Sequence, residues 1–307
     1  MSEIVTIGWL TIDDIILGDV VQRDVLGGGA LYSAVGAQVW NDSVGIHSVT
    51  GRRHLGLVRA DIEARGLDSR GIETIEGNGL QLWLLHENDS DKQQIPKLSS
   101  STAAEMDAGR GPLPSFYRNA RGFHIAPQGP DSSVANAVRL DALPSRPVVT
   151  LDLLSDGYID ASRYRDLTFL RHLSAFLPSE AEIRRIWQPA DLEDWLTEQA
   201  VAHHCPIAVK LGEQGSIVCL PDERRLVRVP AYPAAVVDTT GAGDAFCGGF
   251  LAGLVDGKPL DVCAAMGTVA ASYVIEACGA LRTARPGQAE RQARLERVRA
   301  GITATDF

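Results

Sequence analysis

The stretch Asp238 to Phe250, "DTTGAGDAFCGGF", places two glycines and a carboxylate where a loop runs into an apolar helix. Gly241 and Gly243 permit positive φ and close approach of backbone to a ligand. The small apolar residues that follow, through Leu254, read as a helix buried on most sides. The first amides of such a helix lack acceptors and carry partial positive charge, so Gly241, Ala242 and Gly243 would form an anion hole. Asp244 falls in the same first turn, where the helix dipole favours its ionised form and where it can act as a base toward a hydroxyl beside a bound phosphate. Aspartate is also a preferred N-cap residue, so the loop alone leaves capping open beside catalysis. Neither common nucleotide fingerprint is present. Gly257-Lys258 is followed by Pro259, which excludes a P-loop, and no G-x-G-x-x-G occurs, which discourages an NAD-dependent reading.

Working outward, Ile4 to Trp9 reads as a buried first strand that ends at the acidic turn Thr11-Ile12-Asp13-Asp14. Open α/β sheets bind ligands at that end of their strands, which makes Asp13 a binding candidate. Gly27-Gly28-Gly29 feeds a helix in which Leu31, Ala34, Val35 and Val39 follow helical spacing. Further strands are expected at Val44–Val49, Gly122–Ala126, Val148–Leu151, Ser174–Leu177, Ile207–Leu211 and Ser216–Leu220, several of them separated by helix-length segments such as Leu55–Arg65. This alternation predicts an α/β fold, a three-layer αβα sandwich with a central, mostly parallel sheet. Gly212-Glu-Gln-Gly215 reads as a turn between two strands, and the tail from Pro286 as a charged helix. Two ribbons, near 12–25 and 80–96, do not fit the alternation and predict a small β-sheet lid over the end of the first strand. The second has turn chemistry at Asn88-Asp89-Ser90-Asp91. Without repeats or a low-complexity linker, residues 1–307 read as one domain.

Of the 307 residues 45% are hydrophobic and 22% charged, which excludes disordered and fibrous classes. The net charge, 29 − 39 = −10, argues against a nucleic-acid or anionic-membrane binder. Five scattered cysteines, none in a C-x-x-C pair, read as buried apolar residues, and His203-His204 as surface rather than as a metal site. With no basic n-region and no long apolar run, a cytoplasmic protein is expected.

"DTTGAGDAFCGGF" is similar to the C-terminal signature of the PfkB/ribokinase family of carbohydrate kinases, and "LGGGALYSAVGA" resembles the family's N-terminal one. Matches in order are "GWLTIDD", "FLPSEAEI" (Phe176–Ile183), "VKLGEQGS" (Val209–Ser216) and "GTVAASYVIEACGA" (Gly267–Ala280), so the resemblance spans Ile4 to Thr283. It implies a ribokinase-like fold and an ATP-dependent kinase acting on a small sugar, polyol or nucleoside, with ATP and Mg2+ as cofactors. It also implies that Asp244 is the base and that Gly241 to Gly243 receive the phosphoryl group. Asp13 would hydrogen-bond sugar hydroxyls, with Gly28 and Gly29 against the sugar.

Lys210, Leu211, Gly212 and Gly215 match the segment that lines the nucleotide site, Lys210 replacing a threonine, so that it could neutralise phosphate or merely snorkel at a strand end. Thr268, counted back from Gly279, falls where the family touches adenine. Glu182 matches the last position of the N-x-x-E motif, which acts on magnesium through water; Ser179 stands where that motif has asparagine. Asp238 and Thr240 match the site of an optional monovalent cation, K+. Tyr32 replaces an asparagine that contacts hydroxyls, so it would either stack on the acceptor's ring and narrow the site or serve as helix core. The "GGGALYSA" loop is similar to that of archaeal inositol-kinase-like members, which adds cyclic polyols and nucleosides to the acceptors. A homodimer would pair through the lid. A catalytically silent binding member is the rival from another class.

Overall fold

Along the first strand, β1 (Ile4–Ile7), consecutive side chains enter different cores: Ile4 joins one apolar cluster, Val5 and Ile7 another. A strand buried on both faces requires helices on both sides of its sheet. The computed structural model, which describes residues 2–86, 92–154 and 160–307, has this arrangement. The expected turn at Asn88 to Asp91 lies outside the described residues.

The chain leaves β1 through the hairpin β2 (Thr11–Leu17) and β3 (Val20–Gly27), then enters α1 (Gly29–Gln38), β4 (Val44–Gly51), α2 (Leu55–Ala64) and β5 (Asp68–Ile75). A second excursion, β6 (Leu80–His86) and β7 (Lys92–Pro96), precedes α3 (Ala103–Gly109), β8 (Gly122–Ile125), α4 (Pro130–Asp141), β9 (Val148–Leu151) and β10 (Ala175–Phe176). The C-terminal half runs α5 (Glu180–Ile186), α6 (Leu192–His203), β11 (Ile207–Lys210), β12 (Ser216–Leu220) and β13 (Arg225–Val229). It ends with α7 (Ala242–Val255), α8 (Leu260–Ile275), α9 (Gln288–Arg299) and β14 (Thr303–Asp306).

The main sheet has the order β14-β13-β12-β11-β10-β9-β8-β1-β4-β5 and is parallel from β5 to β11, with β12, β13 and β14 added antiparallel. On one face α1, α2, α7, α8 and α9 contribute residues such as Val35, Val58, Phe250, Val269 and Leu295 to the first core. On the other, α4, α5 and α6 bury Leu140, Ile183 and Leu196. The two ribbons form the second sheet, order β3-β2-β6-β7, with β2 and β6 parallel, as the lid reading expected. Trp9, Leu80, Leu82, Leu84 and Leu154 make a third cluster beneath it.

Several boundaries differ from the sequence reading. The first strand stops at Ile7 rather than Trp9, because Gly8 to Leu10 turns the chain into the lid. The strand expected at Ser174–Leu177 shortens to two residues. Strands β5, β13 and β14 were not expected; "DSRGIETI" and "TATD" are the two outermost strands of the sheet, where polar and exposed residues replace the apolar run of a central strand.

α1 and α7 cross in close contact. A Cβ on Gly36 would overlap the backbone of Ala245, and one on Gly248 would overlap the Ser33 carbonyl and lie 2.7 Å from the Ala37 nitrogen. Both glycines therefore set the distance between two buried helices. Gly248→Ala is expected to separate them at a cost of about 1–3 kcal/mol, the usual range for overpacking. A fall in the urea midpoint with unchanged slope checks this; an unchanged midpoint refutes it.

Candidate active site

The contact between α1 and α7 brings their N-termini together at the C-terminal end of β1. Gly28, the N-cap of α1, has φ 99, and Gly241, the N-cap of α7, has φ 75, a region that L side chains rarely adopt. Where a Cβ on Gly241 would project stands the ring of Tyr32. Neither helix is capped by a side chain. Asp244 is the third residue of α7, not its cap, and its Oδ1 lies 2.8 Å from where Gly29 would carry a Cβ. Ala245 N donates to Gly241 O at 2.9 Å as the first bond of the helix, while Ala242 N donates back to Thr239 O at 3.2 Å. Gly243, in second position, has no acceptor one turn back within the helix.

A cavity of about 390 Å³ lies between the lid and these termini. Asp13, Gly28, Gly29 and Tyr32 line it together with Thr240, Gly241, Ala242, Gly243 and Asp244, the two groups meeting where Asp244 lies against Gly29 and Tyr32 against Gly241; Glu182, Lys210 and Gly212 also reach it. The lid supplies an apolar wall of Leu80, Leu82 and Leu84 beside Trp9, with Gln94 as a polar element. Asp13 is 2% exposed, and its Oδ2 accepts from the Thr11 hydroxyl at 2.7 Å. Burial, followed by the charges of Asp238 and Asp13, raises the Tyr32 phenol well above its ordinary value, so it stays protonated.

Four expected residues are not on the cavity wall. Leu211 packs into the second core, and Gly215 (φ 88) sits where a Cβ would overlap the Val229 carbonyl, so both shape the β11–β12 turn. Asp238 is 2% exposed behind the glycine loop, where its Oδ1 accepts from Thr240 N at 2.8 Å. Thr268 is buried in α8, one turn before Ser272, whose hydroxyl accepts from Arg294 on α9.

Lys210 does not snorkel. Its ammonium is buried against Asp152 and stands 3.7 Å from the Cys247 thiol and 3.5 Å from where a Cβ on Gly243 would lie. Burial works against that charge, but Asp152, Cys247 and Glu182 outweigh it, so the Lys210 pKa is raised. Glu182 and Ser179 form a capping box at α5: Ser179 N donates to Glu182 Oε2 at 2.6 Å, and Glu182 N to the Ser179 hydroxyl at 3.3 Å. Burial and the nearby Asp152 push the Glu182 carboxyl up to about 7, with Lys210 opposing. Among the described residues no group of three or more His, Cys, Asp or Glu could cage a metal ion. Of the four carboxylates on the cavity wall, Asp152 and Glu182 lie beside Lys210, and a pair of this kind suits Mg2+ arriving with a polyphosphate, since that ion takes one or two carboxylates with phosphate oxygens and water.

The model of the pfkB family carbohydrate kinases matches residues 21–285. The chain belongs to this family. The cytidine kinase of Thermococcus kodakarensis is 27% identical over 286 residues, covering 91% of this chain and 98% of that protein. The ATP-dependent ribose-1-phosphate kinase of Halopiger xanaduensis is 31% identical over 242 residues, 75% and 71% of the two chains. The structure of Burkholderia thailandensis nucleoside kinase in complex with inosine superposes with a TM-score of 0.78 at 17% identity, covering 96% and 98%. This pfkB family member is therefore a carbohydrate or nucleoside kinase, with ATP as the donor nucleotide of the family. No helix among the described residues is long and apolar enough to cross a membrane.

For this kinase the sequence reading missed Asp152, which follows β9 directly. The rule that singled out Asp13, a carboxylate at the C-terminal end of a parallel strand, applies equally there.

Because the Glu182 pKa lies above the 4.5 of an unfolded chain, its ionisation costs stability progressively as pH rises from 4.5 to 7. Glu182→Gln keeps an acceptor for Ser179 N and should gain on wild type across that window. Denaturant melts at pH 5 and pH 8 measure it; an equal difference at the two pH values contradicts the raised pKa.

Proposed function

We propose that the chain transfers the γ-phosphoryl group of ATP to a hydroxyl of a nucleoside, with Asp244 as the base. One observation carries this reading: a single cavity brings together Asp13, the first turn of α7 with Gly243 and Asp244, the Lys210 ammonium close to Gly243, and an apolar wall from the lid. Asp244 takes the proton of the attacking hydroxyl. That oxygen forms its bond to phosphorus as the bond to the ADP oxygen breaks. The Gly243 amide and the helix terminus stabilise the transferring group, and Lys210 supplies a fixed positive charge beside it. Mg2+ bound with the nucleotide would neutralise charge on its β- and γ-phosphates, with Asp152 and Glu182 as its protein ligands, directly or through water. Asp13, held by Thr11, would orient acceptor hydroxyls. Thr240 and Asp238 remain the proposed K+ position, with Asp238 set behind the loop.

The apolar wall favours a nucleoside over a free sugar or polyol. Trp9, Leu80, Leu82 and Leu84 offer a planar base an apolar surface that a polyol would leave unused. The full-length likeness to a cytidine kinase supports the same choice. The lid would exclude water, so that ATP is not merely hydrolysed.

Asp244→Asn should lower turnover by about 10²–10⁴-fold, the usual contribution of a general base, while calorimetry still detects ATP and acceptor binding. Near wild-type turnover would remove Asp244 from the mechanism. A coupled ADP-release screen over nucleosides, pentoses, hexoses, sugar acids and inositols tests the acceptor. Higher kcat/KM for a free sugar or inositol than for any nucleoside overturns the nucleoside assignment, and product from none of them favours a silent binding protein.

A further inference from the structure

A second cavity, about 550 Å³, opens behind the active site between the lid and the body. Its wall carries four arginines, Arg23 from β3, Arg65 after α2, and Arg282 and Arg285 between α8 and α9, against two carboxylates, Asp24 and Asp61. On a chain of net charge −10 this is a local reversal of sign. Among the described residues Arg23, Arg65 and Arg282 form no ion pair. Arg285 pairs with Asp42, whose side chain is 88% exposed. Arg65 is fixed by neutral acceptors: Nε donates to Gln38 Oε1 at 3.0 Å, and Nη1 to the carbonyls of Leu281 at 3.0 Å and Thr283 at 2.5 Å. Burial, with Arg285 adding to it, lowers the Arg65 pKa to about 10, so the guanidinium remains charged at neutral pH in surroundings that do not compensate it.

We propose that this cavity binds a phosphorylated small molecule with at least two negative charges, and that the ligand regulates closure of the lid. Guanidinium forks match phosphate oxygens, and a cavity with four arginines, three of them without an ion pair among the described residues, suits a dianion better than a neutral metabolite. The cavity spans the lid and the body. Arg23 belongs to the lid strand, while Arg282, which donates to Gln22 of that strand at 3.0 Å, belongs to the body. A bound dianion would draw Arg23 toward Arg65 and Arg282 and hold β3 down.

Two structural links lead from this cavity to the active site. β3 ends at Gly27, next to the Gly28 cap of α1. On the body side Cys278 lines the cavity with its thiol beside the Asp238 carboxylate, and Val237 N and Asp238 N both donate to the Ile275 carbonyl at 2.7 and 3.2 Å. The ligand should therefore change the acceptor KM more than kcat. Only this kinetic consequence rests on the kinase reading; binding itself does not.

The test is calorimetric titration of pyrophosphate and, separately, glycerol 3-phosphate into the full chain under saturating AMP-PNP without metal, so that the α7 terminus is already taken. One equivalent of at least one probe should bind. Preference for pyrophosphate would point to a free or nucleotide diphosphate, preference for glycerol 3-phosphate to a phosphate ester. The pair Arg23→Glu and Arg282→Glu should weaken binding at least 10-fold, whereas Arg53→Glu with Arg299→Glu, exposed arginines elsewhere with the same charge change, should not. If the first pair fails to fold, Arg282→Gln alone should weaken binding at least 3-fold. With an active acceptor, the bound probe should shift KM at least 3-fold in wild type and not in Arg23→Glu/Arg282→Glu, with kcat steady. Absence of binding by both probes, equal loss in the control pair, or displacement by AMP-PNP overturns the site. Binding without a KM shift overturns the regulatory role.

Discussion

The close crossing of α1 and α7 is the constraint on which the rest of the molecule depends. Gly36 and Gly248 leave room for the Ala245 and Ser33 backbones, so two helices from opposite ends of the chain meet at backbone distance. Their N-termini then point into one cavity, one through Gly28 and the other through Gly241. Small residues at that contact are a matter of site geometry before they are a matter of stability. A wider crossing would carry the Asp244 carboxylate away from Gly29, and a catalytic arrangement tolerates little displacement.

The charges near the cavity are arranged by burial as much as by pairing. Lys210, Asp152 and Glu182 lie together out of water, where breaking one partner would leave the others exposed to a large desolvation penalty. A lysine held in this way has its position and charge fixed by the protein alone. Ser179 explains why the carboxyl of Glu182 stays in place: its amide and hydroxyl close the α5 capping box. The serine that departs from the family motif thus keeps a structural task.

Much of this was legible in the sequence because glycine and aspartate carry strong local meaning. "DTTGAGDAF" announced the helix entrance, "GGG" the second one, and the two ribbons that broke the βα alternation became the lid. What was hidden depended on position within the fold. Outer strands such as β5 and β14 have no apolar run to mark them. Asp152 is one carboxylate after a four-residue strand, and only pairing with Lys210 gives it significance. Thr268 was assigned by counting along α8, but that helix is buried nearly all round, so periodicity gives no face to choose. For Tyr32 the sequence leaves two readings, contact with the acceptor or helix core; the ring belongs to the first apolar cluster, fills the space over Gly241 and also lines the cavity.

That double duty limits how the protein can change over time. A mutation at Tyr32 that reshapes the cavity also removes the ring packed over Gly241, so a change of cavity shape and the support of the α7 entrance compete at one position. Leu80, Leu82 and Leu84 carry no such burden, since they belong to a lid sheet that contributes neither helix terminus. Divergence of substrate within this architecture is expected to enter through the lid first. Tyr32 should follow only when Gly241 has another side chain to rest on.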